Sequence, residues 1–145
     1  MIPFFVMSGV ILGARLAGAF GLESMDSWPA PTRVGLAAMF VFTGVAHFSR
    51  MRGDLIRMVP PSLPHPGALV TVTGIAELAG AVGLLVPAVS RWAALGLAVL
   101  LVAMFPANIH AARGGVMLRG QPPTPLAIRI PLQLVWIGLL CWVAV

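Results

Sequence analysis

The sequence predicts an all-α protein, a polytopic transmembrane helical bundle forming a single domain over residues 1–145. Three observations carry that prediction. Of its 145 residues 59% are hydrophobic and only 9% charged, and the mean hydropathy of +1.00 is that of a membrane protein. The apolar residues gather into five stretches near the ~20 residues with which a helix crosses a ~30 Å hydrocarbon core. Charge, proline and glycine bound those stretches and seldom enter them.

The first span covers about residues 4–22. Ala17-Gly18-Ala19 has the small-x-small form of a signal-peptide cleavage site. No basic region precedes the apolar stretch, however, and Arg15 interrupts it, so a retained span is expected. Gly9, Gly13, Ala17 and Gly21 recur at i, i+4 spacing, a stripe that permits close packing on a helix of this bundle or, as a homo-oligomer, of a second copy. Arg15 either snorkels to the interface or pairs with an acid such as Glu23. The second span runs from about 33 to 48 and reaches crossing length if it extends through Ser49 to Met51, giving 33–51. Asp54 to Val59, ended by Pro60-Pro61, reads as a short interfacial helix with Arg52 and Arg57 facing lipid headgroups. The third, fourth and fifth spans cover about 67–86, 92–112 and 128–145. Pro106 is expected to bend the fourth and free a carbonyl, whereas Pro131 falls in about the first turn of the fifth, where proline is tolerated.

Arginine placement predicts orientation. Arg50, Arg52 and Arg57 lie between spans two and three, and Arg113, Arg119 and Arg129 lie around the connection between four and five; only Arg33 and Arg91 oppose them. The positive-inside rule then puts the N-terminus in the cytoplasm and Val145 outside. Trp28, Trp92 and Trp142 fall near membrane surfaces, as interfacial aromatics do. This distribution explains the net charge of +5 better than nucleic-acid binding does, and no nucleic-acid partner is expected. All nine basic residues are arginine and tyrosine is absent, which removes Schiff-base lysine and phenol chemistry. The single Cys141 excludes an internal disulfide, a CxxC redox pair and a cysteine-rich metal site, so any redox role needs a borrowed cofactor.

Glu77 is the residue hardest to explain by position alone. It sits mid-way along Gly67–Val86, where a charged side chain costs roughly 2.5–3.5 kcal/mol on insertion scales. It should therefore face the bundle interior as a neutral or hydrogen-bonded carboxyl. The other polar candidates are His47, Asn108, His110, Arg129 and Gln133. Topology places them in the cytoplasmic half of three helices, which predicts a cavity between His47, Asn108 and Gln133, walled by Phe48 and Phe105 and with Arg129 at its mouth. Each also has a plainer reading. His47 and His110 are explicable as interfacial histidines, Asn108 and Gln133 as interhelical hydrogen-bond glue, and Arg129 as a topology anchor. A metal site of His47, His110 and Glu77 is disfavoured by depth: at 1.5 Å per residue Glu77 is about 15 Å from the cytoplasmic surface and His47 about 5 Å. The strings Thr43-Gly44-Val45-Ala46-His47-Phe48 and Thr73-Gly74-Ile75-Ala76-Glu77-Leu78 echo each other. Thr43 and Thr73 each lie one turn before the ionisable residue, positioned to bond that side chain or a carbonyl of their own helix. One short match does not establish a repeat.

The segments TGVAHF, MVPPSLPHPGALVTVTGIAELAGAVGLLVP, LVAMFPANIHAA and RIPLQ, in this order and spacing, resemble the DoxX family of small bacterial membrane proteins from about Arg33 onward. The resemblance implies a four-helix core to which the first span is an N-terminal addition, a place in the bacterial inner (plasma) membrane, and His47, Glu77, Asn108 and Gln133 as recurring polar positions. It also implies association with membrane redox chemistry, since the family name comes from a subunit of a thiosulfate:quinone oxidoreductase. The leading expectation is a redox-module subunit that binds a quinone or similar lipophilic ligand through His47, Glu77, Asn108, Gln133, Arg129, Thr43 and Thr73, and docks a soluble oxidoreductase on its cytoplasmic face. A non-catalytic scaffold or maturation factor and a small proton-coupled transporter built around Glu77 are the competing expectations.

Overall fold

In a computed structural model, which describes residues 2–145, five long helices and one short one account for most of the chain. They are α1 (Ile2–Ala19), α2 (Pro29–Ala46), α3 (Arg52–Met58), α4 (Pro66–Leu85), α5 (Ser90–Gly114) and α6 (Leu126–Ala144). Helix ends follow local chemistry. Gly21, at φ +117°, closes α1 as its amide donates to Gly18 O and Leu22 N donates to Ala17 O, both at 3.1 Å, so this member of the glycine stripe is a terminator. Gly115, at φ +64°, ends α5 in the same way. Pro29 opens α2 and Pro66 opens α4, positions at which a missing N–H costs no helical bond.

The long helices α2, α4, α5 and α6 form a four-helix core in which neighbours are α2–α4, α4–α5, α5–α6 and α6–α2, and α1 lies along the outside of α2. Leu36, Met39 and Phe40 of α2 meet Leu84, Leu97 and Leu140 from the other three helices in the interior. The outward faces are apolar too: Leu12, Val72, Val82, Val99 and Leu134 are all well exposed. An apolar exterior around a packed interior suits a lipid surround. Four helices, α1, α4, α5 and α6, are long and apolar enough to cross a membrane, the pattern of a multi-pass membrane protein. Helix α2 is as long as α1, but Pro29, Pro31, Thr32 and Arg33 crowd its start, and it is the most enclosed of the five.

Several boundaries differ from expectation for physical reasons. Helix α2 starts at Pro29 and stops at Ala46, without the extension to Met51; turns carry the chain through Ser49 into α3. Pro131 is the sixth residue of α6, not in its first turn, because Pro125 caps the helix and starts it early. Arg15 pairs with Asp26 at 2.8 Å and lies over the Trp28 ring, so the acid partner is Asp26 and not Glu23. Gly9 and Gly13 face open space, and α1 packs on α2 instead through Met7 and Ile11, against Gly35. Arg52 does not face headgroups. It turns inward and donates to Gly67 O at 3.0 Å, Thr71 Oγ1 at 2.9 Å and His47 O at 3.3 Å, while Arg57 remains exposed and pairs with Asp54.

Candidate functional site

The polar interior is built by close helix approach. A Cβ on Gly44 would lie 2.9 Å from Leu78 and 3.3 Å from the Glu77 Cβ, and one on Gly74 would lie 2.6 Å from the His47 Cβ. The two glycines of the echoed strings therefore let α2 and α4 touch where Glu77 and His47 sit. Glu77 is 3% exposed and His47 5% exposed, and His47 Nδ1 lies 4.0 Å from Glu77 Oε2. The depth separation expected between them is overturned. Helix α2 ends early, level with Gly74, while the first two turns of α4 run on past it beneath α3, so His47 sits deep rather than near the surface. Glu77 Oε2 is enclosed and has no hydrogen-bond partner.

His47 Nδ1 bonds the Thr43 carbonyl at 3.0 Å. A carbonyl only accepts, so Nδ1 carries the hydrogen and Nε2 is left with its lone pair. The two threonine hydroxyls serve their own helices: Thr43 donates to Met39 O at 3.2 Å and Thr73 to Leu69 O at 2.8 Å. Neither takes the side-chain alternative that the spacing allowed.

A second group joins α5 to α6. Gln133, 6% exposed, donates to Leu101 O at 2.7 Å, Asn108 Nδ2 donates to Gln133 Oε1 at 3.5 Å, and Arg129 donates to Asn108 Oδ1. Pro106 lacks the N–H that would serve Val102 O; the Leu101 carbonyl just before it is the one that Gln133 engages. The register aligns the two groups. Arg33 donates to Val143 O, and ten residues along each helix, about 15 Å, lead to Thr43 and Gln133. Gly80 packs on Leu97, and one turn back along α4 and on along α5 lead to Glu77 and Leu101. Thr43, Glu77, Leu101 and Gln133 thus share one level, although no hydrogen bond among the described residues links the two groups. His110 belongs to neither: its Nδ1 bonds Met58 O at 3.1 Å and ties α3 to α5.

Two hollows lie away from the place expected for a cavity. One hollow of about 550 Å³ is lined by Pro106, Ile109, His110, Arg113 and Gly114 at the end of α5, and another of about 350 Å³ lies over Ala76, Gly80, Gly96 and Leu100 between α4 and α5. Neither is lined by His47, Asn108, Gln133, Phe48 or Phe105, and Phe48 is about half exposed. Among the described residues no three of His, Cys, Asp and Glu gather as metal ligands. The residue pattern did not single out Trp136, whose Nε1 is enclosed without a partner one turn beyond Gln133; the i, i+3 spacing on one helix face was the signal available. Nor did it single out Arg33 as the anchor of α2 to the end of α6.

Residues 36–144 match the family model described as Domain of unknown function (DUF8561), and the chain belongs to that family. The matched region begins inside α2 and leaves α1 outside, in keeping with the peripheral place of α1. No curated protein and no solved structure matches the chain.

Proposed function

We propose that the protein is a DoxX-like integral membrane subunit that docks a soluble oxidoreductase at its arginine-bearing end, and that most of its buried polar residues act as structural glue. The observation that carries this reading is the use of Asn108, Arg129 and Gln133 on one another and on Leu101 O, with neither hollow reaching them. A quinone needs donors aimed into a lipophilic slot, and Asn108, Arg129 and Gln133 aim theirs at one another and at Leu101 O, although Arg129 Nε and Trp136 Nε1 stay unpartnered. At the same end, α3 is held to α4 by Arg52, to α5 by His110, and to the loop after α5 by Asp54 Oδ2, which accepts from Arg119 N at 2.9 Å. This knits a platform from which Arg50, Arg57, Arg113 and Arg119 project as exposed residues. Charge of one sign on a platform favours an acidic partner surface. The subunit belongs in a bacterial inner membrane, with its N-terminus and this platform cytoplasmic.

Affinity purification in mild detergent tests the assignment, with the eluate scanned for flavin, haem and iron–sulfur absorbance and extracted for quinone. A cofactor-bearing soluble protein should co-purify, and should be lost when Arg50, Arg57, Arg113 and Arg119 are all changed to Gln. Absence of any such protein from the wild-type eluate overturns the docking role. A stoichiometric quinone would reinstate the ligand pocket.

A further inference from the structure

The glue reading accounts for Asn108, Arg129 and Gln133 and leaves Glu77 unexplained. Its Oε2 is enclosed and unbonded, and the one ionisable group against it is His47. The surroundings offer no other compensating charge. From α2 come Thr43 and His47. Helix α3 supplies Arg52, whose guanidinium is committed to His47 O, Gly67 O and Thr71. Helix α5 presents Leu97 to Leu101, with nothing ionisable, and α6 presents Gln133, with Arg129 one turn away bonded to Asn108 Oδ1 and making no ion pair with Glu77. A lone carboxylate in such a medium is too costly to persist, so its charge must be balanced by a proton.

We propose that Glu77 and His47 form a proton-binding site in which His47 is the port and Glu77 the acceptor. His47 caps the C-terminal end of α2, and the next three residues, Phe48, Ser49 and Arg50, are exposed, so the imidazole lies between the interior and the arginine-bearing surface. No described residue bonds Nε2. A proton accepted there converts His47 to imidazolium. The Nδ1 proton, which faces both the Thr43 carbonyl and Oε2, passes to Oε2 as the 4.0 Å gap closes by side-chain rotation. The products are a carboxylic acid and an imidazole with its hydrogen on Nε2: one proton has entered, the Nδ1–H bond has broken and the O–H bond has formed. Release runs in reverse: Oε2 returns its proton to Nδ1, Nε2 sheds its own toward the surface, and the Nδ1–H bond to Thr43 O is restored. Gly44 and Gly74 keep α2 and α4 close enough for this exchange.

Infrared difference spectroscopy on the full-length protein in lipid, stepped in pH, tests the site. A protonated-carboxyl C=O band should change with pH and disappear in Glu77→Gln, which keeps the shape and hydrogen-bonding capacity of the side chain. In His47→Gln the band should remain, while its response to a pH jump slows on the order of a hundredfold, the contribution of a positioned proton-transfer group. A band unchanged in Glu77→Gln, or a response as fast in His47→Gln as in wild type, overturns the proposal. A band that responds to sodium at constant pH also overturns it, in favour of a cation site. If His47→Gln does not fold, nitrogen-15 spectra of wild-type His47 test the port directly: the protonated ring nitrogen should switch with pH in step with the carboxyl band, and a fixed tautomer overturns the port.

Discussion

Gly74 governs how near His47 comes to Glu77, since a Cβ there would fall 2.6 Å from that of His47, where no side chain can yield without moving a helix. Gly74→Val should therefore push α2 from α4 and cost about 1–3 kcal/mol, as overpacking does. The check is the thermal midpoint in detergent: a clear fall is expected, and an unchanged midpoint would mean that the helices do not touch there. Gln133 is the other residue on which the interior turns, because it bonds both Leu101 O and Asn108. Polar contacts between membrane helices average ~0.6 kcal/mol and reach ~1.7 kcal/mol, so Gln133→Leu should lose about 1–2 kcal/mol. Asn108→Ala made on top of Gln133→Leu should add less than it does alone, since the two share a bond. A double-mutant cycle in denaturant measures the difference, and strict additivity would show that the 3.5 Å Asn108–Gln133 contact carries no energy.

At the scale of elements, α3 is too short to hold itself as a helix and owes its place to side chains from outside it and within it. Arg52 clamps it to the first turns of α4, and His110 holds its last turn by bonding Met58 O. Cutting both links with Arg52→Ala and His110→Ala should release the segment between Ser49 and Pro66 while the four-helix core survives. Limited proteolysis read by mass spectrometry should find new cleavage confined to that segment; protection equal to wild type would assign the clamp to other contacts. Helix α5 shows the complementary behaviour. It runs from Ser90 to Gly114 straight through Pro106, because the neighbouring helix α6 supplies Gln133 to the turn that proline weakens.

Across the whole molecule, charge is polarised along the bundle. The end formed by α3, the start of α4 and the end of α5 gathers Arg50, Arg52, Arg57, Arg113, Arg119 and Arg129, whereas the other end holds Arg15, paired with Asp26, Arg33, bonded to Val143 O, and the exposed Arg91. Trp28, Trp92 and Trp142, each about half exposed or more, all mark that second end, at the starts of α2 and α5 and the close of α6. Such a distribution should orient the arginine-rich end to the cytoplasm. Cys141, the only cysteine and an exposed one, then lies toward the outer surface and reports the orientation. A membrane-impermeant maleimide should label it in spheroplasts without lysis. Labelling only after lysis, or a fusion after Val145 active only in the cytoplasm, would reverse the topology.

The sequence by itself determined the all-helical class, the existence of five long helices and the burial of Glu77. Hydropathy and punctuation are local properties, and an acid in the middle of an apolar span has few places to go except inward. It also pointed to His47, Asn108 and Gln133 as interior groups, because few polar residues interrupt the spans. Only the tertiary structure decided who meets whom. Asn108 and Gln133 bond each other across α5 and α6, and His47 meets Glu77 instead of joining them. The physical reason is register. The sliding of α2 against α4 is set by Gly44 and Gly74 meeting side chains on another helix, and by a nineteen-residue connection, 47–65, whose α3 folds back under the bundle instead of continuing α2. A count of residues from a presumed membrane surface contains neither.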